Sequence, residues 1–187
     1  SPKDANFYFP MDVTVEPATG LVYVCDYNNH RIRRIDADGK VRTVAGQGDL
    51  GDTEGPALEA KLHHPASVAF HPRSGDLYIA GWHVPRIIRL VKSTDRIEHF
   101  AGAVRGDAGD EGPVTAAEFD YPSCVTFDSA GGWYVSDQDN HRVRYVDPAG
   151  TIHALAGDGT AGFSGDGGPA AAAQLENPSG DVDGPAG

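Results

Sequence analysis

An internal repeat of about 56 residues is the feature that most constrains the fold of this chain. Four prolines stand at matching places, with spacings of 55, 57 and 56 residues: Pro10, Pro65, Pro122 and Pro178. A fixed period of this length indicates one supersecondary unit per repeat, each packed against its neighbours. The chain therefore contains three complete units and the start of a fourth.

Each unit has the pattern of four short strands separated by turns. In the first unit, valine, isoleucine and tyrosine concentrate in residues 11–15, 21–26, 31–36 and 41–46. Turn-forming Pro, Gly, Asn and Asp lie between these runs, as expected for antiparallel strands. A four-stranded sheet repeated at fixed period is the blade of a β-propeller. We predict one all-β domain over residues 1–187, with blades at about 10–46, 65–102 and 122–157 and a further blade beginning within 176–187.

Composition and charge restrict the classes of partner. The 187 residues include 24 Gly and 13 Pro, in keeping with many tight turns. The formal net charge is −12, and no Lys- or Arg-rich run offsets it. A negative field repels phosphate backbones and anionic lipid, so we expect neither nucleic acid nor a membrane surface as partner. We also expect a soluble domain without membrane insertion, because neither a membrane-spanning run nor a signal segment is evident.

The two cysteines, Cys25 and Cys124, form no CxxC or CxxH pattern and lie in or beside apolar runs. A small thiol packs well in such surroundings, so both are predicted to be core residues.

The turn between the second and third strands carries a pattern that resembles the NHL repeat. Its name-giving triplet appears as Asn29-His30-Arg31 and as Asn140-His141-Arg142. Each triplet stands shortly after a Tyr-Val pair and an Asp. The second unit departs from the pattern, with Gly81 in place of the Asp and Val84-Pro85 in place of Asn-His. The resemblance covers nearly the whole chain. It implies an NHL-type propeller, usually six-bladed, so that three blades are half of one.

An open arc of three blades leaves apolar sheet faces uncovered. We therefore expect completion of the propeller, by self-association or by the remaining blades of a longer chain.

A recurring acidic and basic pair flanks these turns. Asp26 with Arg31, and Asp137 with Arg142, lie five residues apart across the turn. An arginine fork is able to bind a carboxylate and turn carbonyls together, so we predict that each pair closes its turn. The alternative is that the pairs belong to a ligand site. Repetition in successive blades favours the structural role.

Eight histidines raise the question of a metal, since propeller lyases that resemble this family hold one in the axial tunnel. His30 and His141 occupy equivalent places in separated blades, and their counterpart in the second unit is Pro85. Metal ligands must converge on one point. We therefore predict neither a metal nor a cofactor.

Chain direction places these turns on the same face as the long connectors between blades, and we name this the top face. The connectors 47–64 and 103–121 hold many carboxylates, against Lys61 and Arg105 alone, so the top face is predicted to be acidic. Trp82 and His83 stand there where the other units are polar. Aromatic side chains often anchor contacts. The candidate binding residues are Tyr27, Asn28, Trp82, His83, Gln138 and Asp139.

Three functions are compatible with these features. The sequence favours a scaffold that binds a protein or a small polar or cationic ligand through its acidic top face. The alternative is a propeller lyase or lactonase-type enzyme with a metal in the axial tunnel, and the third is an architectural repeat within a larger protein. In the first strands of the three units, Asp12 is the single Asp, Glu or His, so no catalytic cluster is formed there. The sequence also contains neither a nucleophile-elbow motif nor an HExxH motif. Binding is thus favoured over catalysis, with the catalytic residues of any enzyme undefined.

Overall fold

A computed structural model describes residues 5–180 of the chain, and within them the fold is three antiparallel sheets. The predicted all-β propeller architecture with three four-stranded blades is confirmed. The further blade predicted within 176–187 lies largely outside the described residues.

The strands follow one another in chain order. Blade 1 consists of β1 (Pro10–Val15), β2 (Val22–Asp26), β3 (Arg31–Ile35) and β4 (Val41–Ala45). Blade 2 consists of β6 (Pro65–Phe70), β7 (Leu77–Gly81), β8 (Arg86–Val91) and β9 (Arg96–Ala101), preceded by the short β5 (Gly55–Pro56). Blade 3 consists of β10 (Pro122–Phe127), β11 (Trp133–Asp137), β12 (Arg142–Val146) and β13 (Ile152–Ala156).

The first strand of each blade lies innermost, where β1 contacts β6 and β6 contacts β10. Each inner strand carries a register shift just after its opening proline, as between Pro65 and Ser67 in blade 2. A bulge of this kind bends the strand and re-aims the neighbouring side chains.

Each inner strand is also an edge of its sheet, and a side chain of one inner strand binds a backbone amide of the next. The Asp12 Oδ2 atom accepts the Val68 N–H at 2.8 Å, and the Ser67 Oγ atom accepts the Val125 N–H at 3.3 Å. In both cases the acceptor stands two residues after the proline of one blade, and the amide three residues after the proline of the next. The blades are therefore joined by a repeated hydrogen bond.

Two apolar cores lie between the sheets. One packs blade 1 on blade 2 through residues such as Ile32 and Ile79, and the other packs blade 2 on blade 3 through Ile87 and Val135. Cys25 and Cys124 are buried, as predicted. Alternating side chains thus fill both faces of blade 2, as the propeller architecture requires.

Each of the first two connectors folds back across its own blade and then covers the next one. After blade 1, the Gly46 N–H donates to the Ala57 carbonyl at 2.9 Å, and β5 pairs with the outer strand β9 of blade 2. After blade 2, Pro113 bridges to Thr151 beside the outer strand of blade 3. The connector thus contributes an extra edge to the following sheet.

Candidate functional site

The Asp26 carboxylate is a buried centre that organises the first NHL turn. It accepts the Tyr8 N–H at 2.8 Å and binds the Asn29 Nδ2 atom at 2.9 Å through both oxygens. Its ion pair is with Arg33, at 3.1 Å, and not with the predicted partner Arg31.

Blade 3 repeats this arrangement around Asp137, which is fully buried. Asp137 accepts the Asp120 N–H at 2.8 Å, binds Asn140 at 2.9 Å and pairs with Arg144 at 3.3 Å. The predicted ion pair with Arg142 is therefore also wrong. Burial raises the pKa of Asp137 to about 6, against the opposing effects of Asn140 and Arg144.

Arg31 and Arg142 bind backbone carbonyls of the connectors instead of the aspartates. They face the aspartates across the strand pairing, but their side chains extend outward to connector carbonyls. The Arg31 Nη2 atom donates to the Gln47 carbonyl at 2.9 Å, and Arg142 donates to the Gly157 carbonyl at 3.2 Å. The aspartates instead meet the arginine two residues further along the same face of the strand. Each turn is thus held by two arginines: one binds the aspartate beneath the turn, and the other binds a connector carbonyl beside it.

Blade 2 lacks all three residues of this polar group. Gly81, Val84 and Ile88 stand where blade 3 has Asp137, Asn140 and Arg144. A Cβ atom at Gly81 would overlap the Val84 side chain, so the valine occupies the space of the missing carboxylate. Removing both partners of a buried ion pair avoids an uncompensated charge. The departure of unit two from the NHL pattern therefore has a packing explanation at these three positions.

The NHL histidines act as clamps between blades. The His30 Nδ1 atom accepts the His64 N–H at 3.4 Å, and the His141 Nδ1 atom accepts the Asn177 N–H at 3.2 Å. In both cases the bound amide immediately precedes the proline of the next unit. These side chains are held in separate blades and do not converge.

A cavity of about 310 Å³ lies where the inner strands meet the top face. We name it the channel-mouth cavity, and its lining residues are Met11, Asp12, Ala66, Ser67, Trp82, Ser123, Cys124, Gln138, Ser179 and Gly180. The structure thus brings together two of the predicted binding residues, Trp82 and Gln138. The other four, Tyr27, Asn28, His83 and Asp139, do not line the cavity.

The polar groups of this cavity differ in how far they are satisfied. Both carboxylate oxygens of Asp12 bind backbone amides, those of Val13 and Val68. The Oε1 atom of Gln138 is buried and has no hydrogen-bond partner within residues 5–180. Buried acceptors normally have a partner, so this oxygen is an unsatisfied acceptor on a side chain that lines the cavity.

Beside the cavity, four histidines gather between blades 1 and 2. The His64 ring centroid lies 4.4 Å from that of His30, 5.1 Å from that of His63 and 4.7 Å from that of His83. Tyr27 packs on the same ring at 4.6 Å. We name these five residues the histidine cluster.

The histidine cluster was not predicted from the sequence, although the pair His63-His64 stands directly before Pro65. Burial, followed by the charges of the neighbouring imidazoles, lowers the pKa of His64 to about 4. Burial also lowers the pKa of His30 and of His63. Neutral rings are therefore favoured at this junction.

Arginines reduce the charge of the acidic connectors. Each of four connector carboxylates forms an ion pair of 3.1 Å or less with an arginine: Asp52 with Arg86, Asp107 with Arg142, Asp110 with Arg144 and Asp120 with Arg105. Three of these arginines belong to the blades, which the counts over the connectors alone did not include. The top face is less negative than those counts indicate.

Within residues 5–180, no group of three or more His, Cys, Asp or Glu side chains has an arrangement able to hold a metal ion. The same part of the chain contains no helix whose length and apolar character would let it cross a membrane.

Known proteins with similar sequences or structures include NHL-repeat and propeller proteins. Among curated proteins, the chain is 28% identical over 158 residues to Protein SUPPRESSOR OF QUENCHING 1, chloroplastic, of Arabidopsis thaliana, covering 79% of this chain and 15% of that protein. It is 30% identical over 165 residues to Teneurin-4 of Homo sapiens, covering 77% of this chain and 6% of that protein. The chain thus spans a small part of these relatives.

Among solved structures, a structural genomics protein of Bacteroides thetaiotaomicron VPI-5482 superposes with a TM-score of 0.72 at 18% identity. The match covers 91% of this chain and 41% of that one. The family described as Teneurin NHL domain matches residues 1–164, which confirms the resemblance read from the turns. The chain therefore belongs to the Teneurin NHL domain family of NHL-repeat proteins.

Proposed function

We propose that this chain is a recognition scaffold that binds a protein or a small polar or cationic ligand on its top face, at the channel-mouth cavity. The observation that carries the proposal is the meeting of Trp82 and Gln138 at this cavity. An indole ring offers apolar surface, and an unpartnered amide oxygen offers an acceptor. Few polar groups placed in a partly apolar cavity are the usual features of a small-ligand site.

The charge of the chain favours neutral or cationic ligands. The carboxylate of Asp12 is committed to two backbone amides, whereas the buried Gln138 oxygen has no partner within residues 5–180 and would accept a ligand donor when its side chain turns toward the cavity. Asp139 is exposed nearby on the top face, and the net charge of −12 adds a long-range attraction for cations. A ligand with N–H donors and an apolar part fits these properties.

Thermal-shift and tryptophan-fluorescence titrations with lysine amide, arginine amide and a neutral polyol test the proposal. We expect at least one cationic amide to bind the wild type, and Trp82→Ala and Gln138→Ala each to weaken it about tenfold, on the scale of one lost contact. Arg73→Ala, in an exposed turn remote from the cavity residues, is the control and should bind like the wild type. Equal binding by all four proteins would place the ligand elsewhere.

The alternative function, a lyase or lactonase with a metal in the axial tunnel, is favoured by no arrangement of side chains within residues 5–180. A scaffold of either kind needs its arc completed, by further blades of a longer polypeptide or by a second copy.

A further inference from the structure

Two hydrogen bonds in series connect the histidine cluster to the channel-mouth cavity across the seam between blades 1 and 2. The His30 Nδ1 atom accepts the His64 N–H at 3.4 Å, and the His64 carbonyl accepts the Trp82 N–H at 3.2 Å. Trp82 lines the cavity, and its ring packs edge-on against Tyr27 of the cluster at 5.6 Å. The position of Trp82 at the cavity therefore depends on how His64 is held.

The first of these bonds requires an unprotonated ring nitrogen. A backbone N–H is a donor only, so the His30 Nδ1 atom must present its lone pair to it, whereas an imidazolium carries hydrogen on both nitrogens and accepts nothing. A proton on this atom would set two N–H groups against each other. His64 is held with a φ of +50°, in the sparsely populated left-handed region, so its backbone would relax once its amide is released.

The other rings of the cluster add repulsion to protons that bind there. Three imidazole centroids lie within 5.1 Å of that of His64, and His63 stacks on His83 at 5.2 Å. Two protonated rings at such distances repel each other strongly in a partly buried site. Protonation therefore pushes the elements of this seam apart.

The carboxylates near the cluster are already paired with cations. In the first connector, Asp52 acts on a ring of the cluster, but it pairs with Arg86 and with His99, both at 2.9 Å. Beneath the turn of blade 1, Asp26 pairs with Arg33 at 3.1 Å. Neither carboxylate is an uncommitted counter-charge for an imidazolium of the cluster.

The second connector offers no counter-charge either. It contributes Tyr121, which packs on His83 at 5.4 Å and has the Arg105 guanidinium 4.3 Å from its ring centroid. The neighbouring Asp120 pairs with that arginine at 3.0 Å. Burial raises the pKa of Tyr27, so this hydroxyl stays neutral.

We propose that proton uptake by the histidine cluster breaks the His30–His64 bond and displaces Trp82, so that the channel-mouth cavity holds its ligand at neutral pH and releases it at mildly acidic pH. The release rests on the proposed function, whereas the movement of Trp82 does not. Blade 3 provides a contrast. There the His141 Nδ1 atom accepts the N–H of Asn177, at the end of the third connector, at 3.2 Å, and within residues 5–180 no aromatic ring packs against His141.

Acrylamide quenching of Trp82 fluorescence, without ligand, tests the movement. The chain has two tryptophans, and Trp82→Phe is measured in parallel to subtract the signal of the buried Trp133. When the pH is lowered from about 7 to about 4.5, the quenching of Trp82 should rise about twofold or more, with a midpoint below the ordinary imidazole pKa of about 6.5. The far-UV circular-dichroism spectrum should stay unchanged over the same range.

His30→Asn is the decisive variant. Asparagine tolerates the left-handed backbone of this position, where φ is +53°, and its side-chain oxygen accepts an N–H without titrating. Trp82 should therefore stay protected at low pH. His141→Asn makes the same change in blade 3 and should respond like the wild type. His64→Asn removes the central ring of the cluster and should show a smaller response.

Titrations with lysine amide at both pH values test the release. Wild type and His30→Asn should bind it equally at about pH 7, and the wild type about tenfold more weakly than His30→Asn at about pH 4.5. Equal binding at the lower pH would overturn the release. The movement would be overturned by quenching that does not change with pH, that changes equally in His30→Asn, or that changes only together with the circular-dichroism spectrum. A pH response of Trp82 without binding at about pH 7 would support the movement and count against the proposed function.

Discussion

The Asp12 Oδ2 atom lies 2.8 Å from the backbone nitrogen of Val68, and this hydrogen bond joins the inner strands of blades 1 and 2. Val68 is buried, and its amide points away from its own sheet because β6 is an edge strand of that sheet. A buried donor without an acceptor is costly, which makes Asp12 a structural residue at the edge of the channel-mouth cavity.

Replacing Asp12 by alanine is therefore expected to lower the free energy of unfolding by about 1–3 kcal/mol, the cost of one unsatisfied buried amide. Asp12→Asn keeps an acceptor oxygen and should recover most of the loss. Asp38→Ala, in an exposed turn where the carboxylate pairs with Lys40, is the control and should change stability by less than about 1 kcal/mol. Urea unfolding of the three variants measures the difference, and equal losses for Asp12→Ala and Asp38→Ala would contradict this role.

A second prediction concerns the fully buried pair of Asp137 and Arg144. Asp137→Ala leaves the arginine without this counter-charge and is expected to lower the free energy of unfolding by about 3–5 kcal/mol. Blade 2 shows how the same space is filled without charges, so the triple variant Asp137→Gly, Asn140→Val and Arg144→Ile should lose less than the single variant.

Thermal and urea unfolding of the two proteins would separate these outcomes. A triple variant less stable than Asp137→Ala would show that the apolar set of blade 2 does not transfer to blade 3. Ligand binding at the channel-mouth cavity should persist in Asp137→Ala wherever the variant is folded, because the carboxylate does not line the cavity.

The repeat and the turns allowed the blades to be predicted because strand pairing within a blade is local in sequence. The predicted partner of Asp26 was wrong for a geometric reason. Arg31 is opposite it in the strand pairing, but the buried carboxylate is reached from below by Arg33. Sequence spacing alone does not reveal how deep a side chain lies beneath a turn.

The binding set shows the same limit. Trp82 and Gln138 were identified because their turns are equivalent in successive blades, and the structure brings them to one cavity. The histidine cluster was missed because its members come from two blades and from the connector between them. Contacts across a seam have no fixed separation in sequence, so the repeat pattern does not predict them.

The histidine cluster gives a third prediction, on pH. His64 in the unfolded chain titrates near its ordinary pKa of about 6.5, and in the folded protein near 4. Between these values the unfolded state binds more protons, so the free energy of unfolding falls as the pH falls. His30 and His63 act with the same sign, because burial lowers their pKa as well.

Asp137 acts with the opposite sign in part of this range, since its folded pKa is raised to about 6 and it gains a proton on folding. Urea unfolding at about pH 7 and about pH 5 should show a loss of stability in the wild type and a smaller loss in His64→Gln. His153→Gln is the control: its ring lies outside the cluster, and because Glu111 raises its pKa, removing it should not reduce the loss of stability on acidification. If His64→Gln lost as much stability on acidification as the wild type, the cluster would not be the source of the effect.

The last prediction uses two glycines of blade 3 with almost the same backbone conformation. Gly157 has a φ of +91° and Gly150 has a φ of +90°, so alanine is strained at both positions by about 1–3 kcal/mol. They differ in surroundings. A Cβ atom at Gly157 would overlap the carbonyl oxygen of His141, which belongs to the NHL turn, whereas a Cβ atom at Gly150 meets nothing within 4 Å.

Gly157→Ala is therefore expected to be less stable than Gly150→Ala by at least about 2 kcal/mol, because the turn must move away from the connector to relieve the overlap. That movement also weakens the bond from Arg142 to the Gly157 carbonyl, so the loss should extend to the clamp between blade 3 and the third connector. Melting temperatures and urea midpoints of the two variants measure the difference directly. Equal destabilisation would mean that the close approach of turn and connector is not a constraint on the fold and that only the backbone angle requires glycine at position 157.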